Sequence, residues 1–193
     1  MDRRETGAVV AAVLDFWFGS PDSAAFGRPR AVWFRRDPAF DADIRARFLA
    51  DQELAAAGAY DGLAAAPPGA LALILMLDQF PRNLFRGSAR AFACDPAARH
   101  VAAQVVDAGW DRAMRDVERL FLYLPFEHSE DLADQDRSVA AIAALGDGEW
   151  TRYAERHREI VQRFGRFPHR NAALGRESTA AERAFMLQPN SSF

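Results

Sequence analysis

The sequence predicts an all-α domain of about seven or eight helices packed as antiparallel hairpins. Three observations lead there. Apolar residues recur at three- and four-residue spacing almost throughout the 193 residues. No stretch alternates as a strand would. The segments between apolar runs are short, which makes consecutive helices neighbours. Half the residues are apolar and 26% are charged, the balance of a globular chain rather than a disordered one. A single domain over 1–193 follows, with the first few residues and the tail 188–193 expected to be loosely ordered.

Each element has its own signal. Val9, Val10, Val13, Leu14 and Trp17 make the first stripe, and Gly19 ends it. A loop with Pro21 and Pro29 carries Trp33 and Phe34, either packed on the core or exposed to a partner. Asp37-Pro38 reads as N-cap and first helical residue, followed by Phe40, Ile44 and Phe48 and closed by Gly58. Pro67-Pro68 opens "GALALILMLDQF", apolar on nearly every side and therefore an interior helix. Pro81 disfavours helical geometry at Phe80 and is expected to end it. Asp95-Pro96 starts the next helix and Gly109 stops it. "VERLFLYLPF" is a buried segment expected to close near Pro125, and Ser129 is the expected cap of a helix over 130–145. "EWTRYAERHREIVQRFG" is strongly amphipathic and ends at Gly165. Thr179 and Glu182 have capping-box spacing for a last short helix.

Composition narrows the function classes. The net charge is −3, with no basic block of the kind that nucleic acid demands. Every basic residue is Arg. The single cysteine, Cys94, permits no intrachain disulfide and suggests a reducing, cytoplasmic setting. Asp15 interrupts the apolar start, so a signal peptide is not expected, and no run is long enough to cross a bilayer. No Gly-rich phosphate loop, His-Glu-x-x-His or Cys pair is present, so neither metal nor cofactor is expected. The oligomeric state is left open.

Function is sought where polar residues break an apolar face. Asp78 continues the face of Leu71, Ile74 and Leu75. Gln135 sits among Leu132, Val139 and Ile142. His157 sits among Trp150, Tyr153, Ile160, Val161 and Phe164. Each also has a packing role available: a paired aspartate, a glutamine bridging backbone groups, a hydrogen-bonded core histidine. Arg82 and the group near Arg170 are the candidate partners of Asp78. In "PFEHSE", Glu127 and His128 have the chemistry of an acid–base pair, and Glu130 joins them at a helix start.

Two stretches echo one another. "DQFPRNLFRG" and "GRFPHRNAALGR" each follow Phe-Pro closely with Arg and Asn. Together they supply Arg82, Asn83, Arg86, Arg166, His169, Arg170, Asn171 and Arg176, with Ser178 beyond. Either stretch alone is ordinary helix-end and turn chemistry. If the two ends face the same way, they form a fork of guanidinium donors suited to carboxylate or phosphate.

"VLDFWFG", "LILMLDQFPRNLFRG", "AFACD", "LFLYLPFEHSEDLADQDRS" and "RFGRFPHRNAALGRESTAAE" resemble the bacterial domain-of-unknown-function 924 family, from about Val13 to Glu182. The resemblance implies a tetratricopeptide-like right-handed superhelix. It also implies a shared site of Asp78, Gln79, Arg82, Asn83, Arg86, Glu127, His128, Ser129, Glu130, Gln135, His169, Arg170, Asn171, Arg176, Ser178 and Thr179. It brings no activity with it. The sequence thus points first to a pocket for a small anionic molecule or acidic peptide end. A second reading is a hydrolase or lyase using Glu127 and His128, with Arg82 and Arg170 orienting the substrate. A third is a tetratricopeptide-like adaptor.

Overall fold

The computed structural model describes residues 3–24, 26–189 and 191. Among them there is no strand, and eight helices carry the fold. They are α1 (Arg3–Phe18), α2 (Pro38–Ala56), α3 (67–84), α4 (Asp95–Asp107), α5 (Asp116–Glu127), α6 (Leu132–Ala143), α7 (Gly148–Phe164) and α8 (Ala180–Met186). Part of the expected loose termini, residues 1, 2, 190, 192 and 193, lies outside the described residues. Ser191 donates from its hydroxyl to the Met186 carbonyl.

α3 is the interior helix. Every residue from Gly69 to Pro81 is buried, and α1, α2, α4 and α5 all pack on it. The second half of the chain builds outward, with α6 on α5 and α7 on α6. A large apolar core runs from Val13 to Ala154. A smaller one joins Ile160, Val161, Phe167 and Phe185 at the end of α7.

The start signals hold at Asp37, which accepts from the Ala39 and Phe40 amides, and at the Thr179–Glu182 capping box. Several expected ends do not. α3 runs through Pro81 to residue 84 because its middle, Leu75–Gln79, widens into a π-turn. Phe80 donates its amide five residues back, to the Leu75 carbonyl. An α-helix would have needed an amide hydrogen from residue 81, which proline lacks, and the ring would have crowded the carbonyl of Leu77. The wider turn accommodates both. α5 likewise runs past Pro125 to Glu127.

Asp131, not Ser129, caps α6, accepting from the Ala133 and Asp134 amides. Ser129 instead accepts from Arg99 and donates to Asp134. Leu132 and Tyr153, assigned to inward faces, are exposed. The buried sides of α6 and α7 are Gln135, Ser138 and Ile142, and Ala154, His157, Ile160 and Val161. Trp33 is buried against Trp17, its indole donating to the Trp17 carbonyl at 3.1 Å, while Phe34 is 59% exposed.

One buried glycine has a steric reason. A Cβ on Gly69 would collide with the Leu63 carbonyl oxygen. Alanine gains about 1 kcal/mol of helix propensity, but this close approach must be opened. Gly69→Ala is therefore expected to lose about 1–3 kcal/mol in urea unfolding. A midpoint at or above wild type would show that the turn at Leu63 yields freely.

Candidate functional site

The π-turn of α3 places Asp78 inside the protein with no exposed surface. Gln79 Nε2 donates to its Oδ2 at 2.6 Å. His128, at the end of α5, meets its Oδ1 through Nδ1 at 2.7 Å. Arg82, one turn on, stands 3.3 Å from the same oxygen. Burial pushes the Asp78 carboxyl up, but Arg82, His128 and Gln79 outweigh it and hold it well below the ordinary carboxylate range. Asp78 is thus ionised and can only accept. The proton between it and His128 sits on Nδ1, and the lone pair of the neutral imidazole lies on Nε2.

Glu127 is next in sequence and opposite in charge state. It is 3% exposed, and its Oε2 has no hydrogen-bond partner. Burial, then the charge of Asp78, pushes its carboxyl up to about 8, so it is protonated at neutral pH. His157 Nδ1 lies 2.8 Å from the Tyr153 carbonyl and 3.1 Å from Glu127 Oε1. Burial holds His157 well below its ordinary range, so this contact joins two neutral groups. Burial and the Arg82 charge likewise lower His128, and burial with Arg170 and Arg82 brings His169 to about 4. Gln135 fixes the turn that carries Glu127 and His128, donating to the carbonyls of Glu127 and Ser129 at 2.6 Å each.

The two Phe-Pro stretches meet. Arg82 forks onto Asp95, the first residue of α4, at 2.9 and 3.0 Å. Arg170 reaches the same carboxylate at 3.2 Å. Its guanidinium lies 4.6 Å from the ring centres of both Phe92 and Phe167. Arg170 Nε is buried with no hydrogen-bond partner. Burial and the neighbouring Arg82 lower this guanidinium to about 10, still charged at neutral pH. The cluster reaches the surface where the Arg82, His128 and Asp95 side chains are 19%, 13% and 12% exposed.

The remaining sequence candidates lie in three other places. Asn83 and Arg86 turn to Asp41 of α2, at 2.7 Å and 2.7–2.8 Å. Glu130, Asn171, Arg176 and Ser178 form a ladder behind the second Phe-Pro turn. Arg176 forks onto Glu130 at 2.7 and 2.9 Å, and Glu130 accepts the Phe167 amide at 2.7 Å. Asn171 links Arg176 to Ser178. Arg166 forks onto Glu182. Of the echo's arginines only Arg82 and Arg170 thus converge, on Asp95, while Arg86, Arg166, Arg176 and both asparagines are held elsewhere.

The profile of a family described as bacterial proteins of unknown function, DUF924, matches residues 13–190. The chain belongs to the DUF924 family. A solved structure of another protein of unknown function, ATU0120 from Agrobacterium tumefaciens, is 43% identical, with a TM-score of 0.84. The match covers 94% of this chain and 98% of that one. No curated protein matches. No helix among the described residues of this DUF924 protein is long and apolar enough to cross a membrane.

Asp95, Phe92 and Phe167 were not among the candidate site residues. Asp95-Pro96 reads as a helix start, yet Cys94 is the N-cap and the Asp95 carboxylate is used on the arginines. The signal available was the family motif "AFACD", which contains both Phe92 and Asp95.

Proposed function

We propose that this chain is an acid–base enzyme, of hydrolase or lyase type, acting on a small anionic molecule. One observation carries the reading. Glu127 and His128 are adjacent, and their surroundings drive them to opposite roles: Glu127 protonated near neutral pH, His128 neutral with its free lone pair on Nε2. Titratable neighbours pushed apart in this way supply an acid and a base at one pH. His128 is the base, and Asp78 holds its tautomer and orientation, with Gln79 bracing Asp78. Glu127 is the proton donor. Arg82 and Arg170 orient the substrate's anionic group at the exposed edge.

The test pairs binding with turnover. Small carboxylates and phosphate monoesters are screened by thermal shift, and every ligand found is then followed by NMR for conversion. At least one is expected to be turned over. His128→Ala is expected to lower turnover by about 10²–10⁴-fold while affinity changes only a few-fold. Tight binding with no conversion by wild type would make this a binding protein. No binding across the panel would remove the anion site altogether.

A further inference from the structure

A cleft between α2 and the start of α4 shares no residue with the cluster around Asp78. Its volume is about 300 Å³, near the lower end of the range for small-molecule sites. Gln52 and Glu53 of α2 form one side, and Phe85, Arg90 and Cys94 form the other. Three alanines complete it and keep its walls low and apolar. Cys94 is the N-cap of α4, one residue before Asp95. Burial, and after it the Asp95 charge, raises the Cys94 thiol, so it lines the cleft uncharged.

Gln52 is only 2% exposed and lines this cleft. Among the described residues its side-chain amide has no hydrogen-bond partner, yet it is not sealed inside the core. Its remaining surface therefore opens into the cleft. The amide presents an acceptor and two donors to whatever enters. Leaving them unpaired in so enclosed a place is costly. The mouth carries one charge of each sign. Arg90 Nη2 donates to Glu53 Oε1 at 3.1 Å, and among the described residues no other hydrogen bond uses either head group. The two side chains are 59% and 55% exposed, so Glu53 Oε2 and the rest of the guanidinium stay open to solvent. The guanidinium lies 3.8 Å from the Phe85 ring centre, which fixes its place. An ammonium on Glu53 and a carboxylate on Arg90 would close a ring of four alternating charges without breaking the pair. The two ligand charges must then stand as close together as Glu53 and Arg90 do. Two charges on one carbon, as in an α-amino acid, meet that demand.

We propose that this cleft binds a free α-amino acid with an amide side chain, of glutamine or asparagine type. Its zwitterion closes the charge ring at the mouth, and its amide pairs with the Gln52 amide inside. A ligand of zero net charge suits a mouth whose two charges cancel, and a net charge is left uncovered there. The site is independent of the anion site proposed above.

Cys94 is the sole cysteine and reports occupancy. Methyl methanethiosulfonate labels it in the full chain, read by mass spectrometry, and calorimetry gives the affinity. Saturating L-glutamine or L-asparagine is expected to slow labelling by about fivefold or more. L-Methionine, of similar length without the amide, is expected to bind about tenfold more weakly than glutamine. N-acetylglutamine and glutamine α-amide, each stripped of one charge, are expected to lose about tenfold as well. Glu53→Gln and Arg90→Met should weaken glutamine to the same degree and, at exposed positions, leave the urea midpoint in place. In Gln52→Met, glutamine and methionine should bind alike. Capped forms that bind as tightly as the zwitterion would overturn the charge ring. Methionine that matches glutamine on wild type would overturn the amide pairing. Calorimetric binding that leaves Cys94 labelling unchanged would put the ligand elsewhere and overturn the site. No binding of any probe at millimolar concentration would leave Gln52 to solvent and overturn the proposal.

Discussion

Asp95→Ala is expected to cost about 3–5 kcal/mol of stability, a large share of what a domain of this size possesses. The carboxylate is nearly buried and holds two guanidiniums that arrive from opposite parts of the chain. Without it Arg82 keeps Asp78, but Arg170, only 6% exposed, loses the carboxylate it binds directly. A charge stranded between Phe92 and Phe167 costs more than the lost hydrogen bonds. Asp95→Asn should fall between the two, since it keeps the shape and removes the charge. Urea unfolding measures all three. The decisive control is Arg170→Met in the Asp95→Ala background, which removes the stranded charge and should recover part of the loss. A cost below about 1 kcal/mol for Asp95→Ala, with no recovery in the double variant, would mean that the two Phe-Pro stretches are held together by something else.

That residue also shows where sequence reading stops. Periodicity marks local register, so the interior character of α3 and the inward places of Asp78, Gln135 and His157 are visible in the chain. Cap chemistry is equally local, and Asp37 and Thr179 behave as their spacing demands. The Asp95 bridge spans 13 residues to Arg82 and 75 to Arg170, and no local pattern encodes it. Asp95-Pro96 has the form of a helix start, and that sufficient local reading hides the long-range one. Proline misleads in the same way. Pro81 and Pro125 signal ends when only their neighbours are considered, and both lie inside helices. At Pro81 the π-turn resolves the conflict, and the same turn carries Asp78. A local rule broken at a buried carboxylate is therefore the strongest pointer to the site that the fold provides.

Glu127 should make the protein lose stability as the pH rises through a range where most globular proteins are steady. The sign follows from proton counting. The folded pKa of Glu127, about 8, lies above its ordinary value of 4.5, so the folded state holds a proton that the unfolded state has released. Its contribution is complete below about 4.5 and is lost as pH climbs to 8. Asp78, Asp41 and Glu130 are lowered instead, so their contributions are lost only as pH falls below the ordinary carboxylate range. His128, His157 and His169 are lowered from 6.5, and theirs are lost as pH falls below that value. Burial raises Cys94, which keeps its titration above the range in question. Between pH 6.5 and 8 these other shifted groups are silent and Glu127 acts alone. At about 1.4 kcal/mol per pH unit, wild type should lose roughly 2 kcal/mol across that interval. Glu127→Gln, which keeps the size and cannot ionise, should lose almost none and should exceed wild type at pH 8.5. Chemical denaturation of both proteins in a common buffer series reads the difference and cancels the α-amino group. Parallel profiles for the two would mean that Glu127 is ionised in the fold, and the acid of the proposed pair would have to be sought elsewhere.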